Sequence, residues 1–220
     1  LVQTLLDHGL IESPADDGRV VIGERLIRIA LLGKSDVDVR KAAAPLLKAA
    51  AVKFNETVFL SRFRNDQVEI IHVETPDDPA RAYIHPGLGV RPLHACSCSK
   101  AIAAFAEPTF QDSIISGTLR AYTEFTLTTV QDLEAEFETI RKRGFAECVE
   151  EIERGMCSVA APLAPNGPGA TLSIGATGST RVFTSAFREE LGPRIARIAQ
   201  GLSADLGWDV VQDSRTPTAS

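Results

Sequence analysis

No uninterrupted apolar run in this sequence approaches the roughly 18 residues needed to span a bilayer, and no N-terminal stretch has the basic, apolar and small-residue order of a signal peptide. The expected compartment is therefore the cytoplasm. Cysteine is sparse. Four residues, two of them in Cys96-x-Cys98, make too irregular a set for a disulfide-stapled secreted domain, so free thiols are expected. Positive charge is short as well: the formal net charge is −6, and within residues 1–41 seven Asp and Glu outnumber six Lys and Arg. That excludes an extended nucleic-acid surface, because neutralising phosphates takes clustered cations, and any DNA contact must be local. There is no internal repeat. What is present, 44% hydrophobic and 24% charged positions, suffices for one sizeable core and a small appendage.

Leu1, Val2, Leu5 and Leu6 lie at helical spacing and predict a helix over 1–8 that Gly9 terminates. Because the sequence opens inside that helix, its true N-terminus is expected upstream. Leu10-Ile11-Glu12 and Arg19-Val20-Val21-Ile22 flank the turn-rich residues 13–18 and predict a β-hairpin. Helix then hairpin is the back half of a winged helix. Residues 24–32 return to helical periodicity through Leu26, Ile29 and Ala30, and Asp36 opens a further helix to about Phe54. Residues 57–63 and 68–74 alternate as two strands about the polar Arg64-Asn65-Asp66-Gln67, and 80–84 offers a third strand. Helices are predicted over 94–106, from Pro108 onward, and from Val130 to a stop at Gly144, the last with Leu133, Phe137 and Ile140 on one face. Residues 157–163 and 171–177 are strand-like. In the second, Leu172, Ile174 and Ala176 face one way and Thr171, Ser173, Gly175 and Thr177 the other. A last helix carries Phe187, Leu191, Ile195, Ile198, Leu202 and Leu206, with Gly192-Pro193 expected to kink or interrupt it. The predicted class is α+β, an antiparallel sheet with helices packed against it.

The strongest candidate site is a convergence of small polar groups: Ser97, Cys98 and Ser99 at a helix start, Ser158 on one strand and Ser173 on another. A helix start offers unpaired N–H groups suited to a carboxylate. The competing reading is that Ser97 caps the helix and Ser173 faces water on an open sheet. His94, Cys96, Cys98, Cys148 and Cys157 suggest soft metal ligands, but their spacing is wrong for a zinc knuckle and buried cysteine is common core material. His94 reads better as a structural hydrogen-bonding group. An enzyme would pair Cys96 or Cys98 with His94 or Glu150, yet residues crowded on one short segment seldom supply the geometry of nucleophile, base and orienter. Glu147, Glu150, Glu151 and Glu153 read as a solvated acidic edge. No catalytic residue, metal or cofactor is assigned.

Three stretches in order resemble the IclR (isocitrate lyase regulator) family. They are Arg91-Pro92-Leu93-His94-Ala95 running through to Lys100-Ala101, then the helix from Leu133 to Gly144-Phe145, and then Glu150-Glu151 with Gly155 and Val159-Ala160-Ala161-Pro162. The resemblance spans about residues 1–206. It implies the C-terminal part of a winged-helix DNA-binding domain over 1–23, a linker helix over 24–35, a GAF-like effector-binding domain over 36–211 and a tail over 212–220. It also implies a ligand-responsive transcriptional regulator that binds operator DNA and a small organic acid or aromatic catabolite, as a homodimer or tetramer. Effector-site residues would be Ser97, Cys98, Ser99, Cys148, Ser158, Ser173 and Gly175, with Tyr83 and Met156 as the apolar wall. Ser99 stands where the family usually has glycine, and Cys148 where aspartate is common. Gln3 and Arg19 are the DNA contacts expected within this stretch. The alternative is a cysteine-based redox or metal-dependent sensor or enzyme on the same fold.

The apolar stripe of residues 24–32 has little of its own chain to cover it, so association between copies should bury it. Light scattering on protein with its complete N-terminus should show a dimer or larger at micromolar concentration. A strict monomer would contradict the regulator reading.

Overall fold

The computed structural model describes residues 1–13, 19–23, 25–26, 36–82, 86–106, 108–164 and 171–208. The chain divides into two compact units, Leu1–Val39 and Arg40–Ser220. In the first, α1 (Val2–Asp7) is followed by β1 (Ile11–Glu12) and β2 (Val21–Ile22), which pair antiparallel with Ile11 opposite Ile22. Gly9 takes φ +63 after the helix, and a Cβ on Gly23 would lie 2.4 Å from the Gly9 carbonyl oxygen. Glycine at both positions lets the two ends of the hairpin close on the helix end. The hairpin tip, 14–18, and all of the expected linker helix except Arg25 and Leu26 lie outside the described residues, as does the tail 212–220.

The second unit is built from α2 (Asp36–Phe54), β3 (Thr57–Arg64), β4 (Gln67–Glu74), α3 (Pro79–Ala82), β5 (Gly89–Arg91), α4 (Ser97–Phe105), α5 (Pro108–Ile115), α6 (Val130–Arg143), β6 (Ala146–Val149), β7 (Met156–Pro162), β8 (Leu172–Ser179) and α7 (Ser185–Asp205). Six strands form one antiparallel sheet in the order β5-β4-β3-β8-β7-β6. The β3–β4 hairpin turns through Asn65 and Asp66, both at positive φ, as a two-residue primed turn requires. Alternation gives the sheet two distinct faces. One carries Phe59 and Ser61 of β3, Ser173 and Gly175 of β8, Ser158 and Ala160 of β7 and Cys148 of β6. Helices α4, α5 and α6 cover it, and Phe59, Ile70, Ala101, Ile102, Phe137 and Ala160 share its core. Leu172, Ile174 and Ala176 of β8 with Val159 and Ala161 of β7 form the opposite face, against which α7 packs.

Local chemistry sets the helix ends. Thr129 caps α6 by accepting from Asp132 N–H, and Gly144 closes it at φ +83. The expected interruption of the last helix is absent: α7 runs through Pro193. Proline removes a single ladder bond, and the carbonyl it orphans belongs to the exposed residue Glu189, which water can solvate. Gly192 has a different reason, since a Cβ there would lie 2.5 Å from the Phe145 ring. The strand expected at 80–84 is instead the short helix α3. Asp78 Oδ1 accepts from Ala80 N–H at 2.9 Å with Pro79 next in line, a capping arrangement that overrides β propensity. Ile84 lies outside the described residues, and the third strand of this hairpin region is β5. Among the described residues no helix is long and apolar enough to cross a membrane.

The acidic edge also departs from expectation. Strand β6 ends at Val149, Glu150 sits at φ +57, and Glu151 is buried rather than solvated. Its carboxylate lies 2.6 Å from the ammonium of Lys100, which is 1% exposed and also 3.2 Å from Glu136 of α6. Burial pulls the Lys100 pKa down, but the two carboxylates outweigh it and the net shift is upward. Burial pushes Glu151 up to about 7, against the pull of Lys100, and its Oε2 is buried without a hydrogen-bond partner. The two shifts are compatible. Two carboxylates share one ammonium, so protonating the more buried one still leaves Lys100 neutralised by Glu136.

Lys100→Met removes the cation and strands two partly or fully buried carboxylates, so it should destabilise the fold by about 3–5 kcal/mol in denaturant titrations. The Glu151 value in the fold lies above its ordinary 4.5, so folding takes up a proton between about 4.5 and 7. Its cost is full above that window and fades below it. The Lys100→Met defect should therefore be larger at pH 8 than at pH 5, and an equal defect at both would contradict the buried pair.

Candidate functional site

The site is organised by the first turn of α4. Pro92 to Ala95 lead into it, and Cys96, in extended conformation at φ −87 and ψ 138, is the N-cap. Lys100 N–H donates to the Cys96 carbonyl at 2.9 Å, which starts the helix. His94 is fixed beside this turn, its Nε2 2.9 Å from the Arg120 carbonyl oxygen and its ring stacked on Tyr122 at 5.9 Å. Ser97 is thus not the cap. Its hydroxyl points across to the sheet, 2.7 Å from that of Ser158.

A second hydroxyl pair lies on the same face further along the sheet, since Ser158 pairs with Thr177 and Ser173 is four residues from it on β8, roughly 13 Å at the strand rise. Ser61 Oγ and Ser173 Oγ are 2.6 Å apart, and Ser173 Oγ donates to the Cys98 carbonyl at 3.3 Å. Ser61 Oγ also reaches the Ser173 carbonyl at 3.4 Å, so either hydroxyl of the pair can donate to the other. Ser173 is fully buried, which overturns the reading of it as a water-facing residue on an open sheet: α4 covers this face. Ser97, Cys98 and Ser99 are likewise fully buried, while Ser158 and Met156 on β7 remain partly exposed and form the rim. Gly175 lies under the Phe59 ring, whose Cζ would be 2.3 Å from an added Cβ. Tyr83 lies outside the described residues.

The thiols divide between the two faces. Cys96 Sγ and Cys98 Sγ are 3.3 Å apart, and Cys148, paired with Ser158, is on their side of the sheet. Burial pushes the Cys148 thiol up to about 12. Cys157 neighbours Ser158 along β7 and so faces the opposite way, which rules out the convergence of all four cysteines. His94 is turned to the Arg120 carbonyl, and Glu150 Oε1 accepts from Gly155 N–H at 2.8 Å, so neither partner expected by the enzyme reading is directed at a thiol. Among the described residues no three His, Cys, Asp or Glu side chains form a metal-holding group. What the arrangement holds on this face is two hydroxyl pairs at the start of α4.

Sequence reasoning missed four participants. Ser61 completes the second hydroxyl pair through the β3–β8 register, which no local pattern reveals. Lys100 and Glu151 each belong to a recognisable motif, but their pairing across 51 positions does not. Arg91 on β5 adds a guanidinium beside the two thiols, a small contribution that helps to lower Cys98 and only slightly opposes the hydrogen bond and burial that raise Cys96, and it is held by the Pro86 and Gly87 carbonyls. In the first unit, Gln3 and Arg19 are exposed. Gln3 Nε2 donates to Asp7 Oδ1 at 3.0 Å, and the Arg19 carbonyl accepts from Ser13.

The family model described as bacterial transcriptional regulator IclR C-terminal matches residues 33–204. A glycerol operon regulatory protein of Streptomyces coelicolor is 29% identical over 213 residues, covering 94% of this chain and 82% of the relative. The crystal structure of Thermotoga maritima IclR superposes with a TM-score of 0.70 at 26% identity, covering 94% of this chain and 83% of that one. An IclR homolog from Microbacterium hydrocarbonoxydans, solved in complex with 4-hydroxybenzoate, has a TM-score of 0.68 at 19% identity, covering 93% and 83%. The chain belongs to the IclR family of bacterial transcriptional regulators.

Proposed function

We propose that the second unit is the effector sensor of this regulator, and that its ligand is a small organic anion seated between the first turn of α4 and the β7–β8 face. The observation that carries this reading is that two hydroxyl pairs on one sheet face, Ser97 with Ser158 and Ser61 with Ser173, both meet the first turn of a helix whose start has no side-chain cap. A carboxylate suits such a place, because the first-turn N–H groups and the helix dipole favour negative charge and the hydroxyls supply further donors. Its entry exchanges hydroxyl–hydroxyl bonds for bonds to the ligand, with Ser99 and Cys148 beside it and Met156 toward its body, whereas Gly175, covered by the Phe59 ring, is left out of the site. The IclR homolog in complex with 4-hydroxybenzoate supports an aromatic acid as one class of ligand.

In this reading the effector binds two states of the regulator unequally and so alters how the winged helices of a homodimer or tetramer engage operator DNA in the cytoplasm. A coupling of about 1–3 kcal/mol is the usual scale. Residues 1–23 would then be the end of the DNA-binding domain, with Gln3 and Arg19 contacting operator DNA.

Ser158 is the serine to test, because it is partly exposed and lies on a strand that accommodates a β-branched side chain. A thermal-shift screen of small carboxylates, 4-hydroxybenzoate included, identifies a ligand, and calorimetry measures its affinity. Ser158→Val should weaken binding at least tenfold, about 1.4 kcal/mol, while the loss of Ser97's partner lowers the melting temperature of the unliganded protein by only about 2–8 °C, leaving it folded. Unaltered affinity in the folded variant would place the ligand elsewhere.

A further inference from the structure

We propose that Cys96 and Cys98 are a reversible oxidation site, joined as an intramolecular disulfide by a hydroperoxide, and that this bond regulates the site at the start of α4. The regulatory half rests on the effector reading above; the chemical half does not.

Geometry carries the proposal. The two sulfurs are 3.3 Å apart, against about 2.05 Å in a disulfide, so roughly 1.2 Å must be closed. Cys96 stands at the N-cap in extended conformation, its N–H bonded to the Pro92 carbonyl and its own carbonyl accepting from Lys100 N–H, so closing the gap takes a shift of the first turn at Cys98 as well as a turn of the Cys96 side chain. Cys96 is the more exposed residue of the two, at 7% against 0% for Cys98, so a hydroperoxide small enough to pass Cys96 is the oxidant that reaches Cys98. Cys148 is on the same face but on β6, and Cys157 is on the other face, so only Cys96 and Cys98 touch. Burial disfavours a Cys98 thiolate, but hydrogen bonds from Cys96, Ser61 and Ser99 and the Arg91 charge outweigh it, leaving Cys98 the more acidic thiol. Cys96, raised by donating to Cys98, keeps its proton.

The Cys98 thiolate attacks one oxygen of the hydroperoxide. An S–O bond forms, the O–O bond breaks, and the departing oxygen takes the Cys96 proton, leaving as water or an alcohol. The Cys96 thiolate then attacks the sulfenic sulfur. The S–S bond forms, the S–O bond breaks, and the hydroxide leaves as water with a proton from solvent. The two thiols lose two electrons to the peroxide, and a small dithiol reverses the bond by exchange. Drawing Cys98 toward Cys96 moves the Cys98 carbonyl, which is the acceptor of Ser173 Oγ, and so breaks that bond.

The test treats the reduced chain with hydrogen peroxide, quenches with acid, and counts thiols after denaturation, with peptide mapping. The four thiols of the reduced protein should fall by two, with the bond mapped to Cys96 and Cys98 and reversed by dithiothreitol. Cys96→Ser and Cys98→Ser should each abolish that bond, whereas Cys148→Ser should retain it. Four thiols remaining, or a bond that includes Cys148, overturns the proposal. Hydrogen exchange on the oxidised protein should accelerate at amides 97–100 and 173. A disulfide without that change overturns the regulatory half. Neither outcome depends on the Ser158→Val affinity result, so failure of the redox pair and failure of the effector reading are separately visible.

Discussion

The placement of α4 depends on one buried cation. Lys100 is drawn under the helix layer and held between Glu151, just past the end of β6, and Glu136 on α6. Thr123 and Thr126 in turn hold the Glu150 and Glu151 carbonyls at 2.6 and 2.5 Å, so the carboxylate that receives Lys100 is fixed by its own backbone. Replacing such a pair by apolar residues is often neutral for stability, whereas removing one member is not. Its effect here is positional. A sliding or turning α4 would strand an ammonium among apolar groups, so the helix has one acceptable register over the sheet, and the side chains of its first turn inherit that register.

What those side chains meet is unusual for a core. The first turn is buried, its cap is a cysteine without a side-chain cap bond, and four serine hydroxyls fill the space a set of methyl groups would occupy elsewhere. A hydroxyl pair in such surroundings contributes only about 1 kcal/mol net, while leaving one member unpaired costs more. The two pairs are therefore satisfied as they stand and equally ready to be satisfied by the oxygens of a ligand. A site built this way discriminates by completeness of hydrogen bonding: an apolar molecule of the same size would leave buried hydroxyls unpaired.

The thiols sharing this turn give it a second kind of chemistry. Cys96 and Cys98 occupy the positions at which the helix begins, beside the Arg91 charge, and every contact that positions them for packing also positions them against each other. The carbonyl that Ser173 grips belongs to Cys98 itself. A displacement of the Cys98 backbone would therefore be felt at Ser173, which is how the proposed disulfide would act on the proposed ligand site.

The sequence by itself determined whatever is decided within a few residues. Asn65-Asp66 predicted the β3–β4 turn, Gly144 the end of α6, and the Leu172–Ile174–Ala176 alternation the two faces of β8, because turn chemistry and side-chain periodicity are local. The IclR resemblance rested on motifs of the same local kind. Local reading failed where a nearby cap or a distant partner intervened. Asp78 and Pro79 turned an expected strand into α3, Glu151 left the acidic edge for Lys100, and Ser97 gave up its capping role to Ser158. The tertiary structure alone decided that Ser61 meets Ser173 and that Cys157 faces away from Cys148. Both follow from strand register, where a shift of one residue sends every side chain to the other face of the sheet, and register is set by the packing of the whole core.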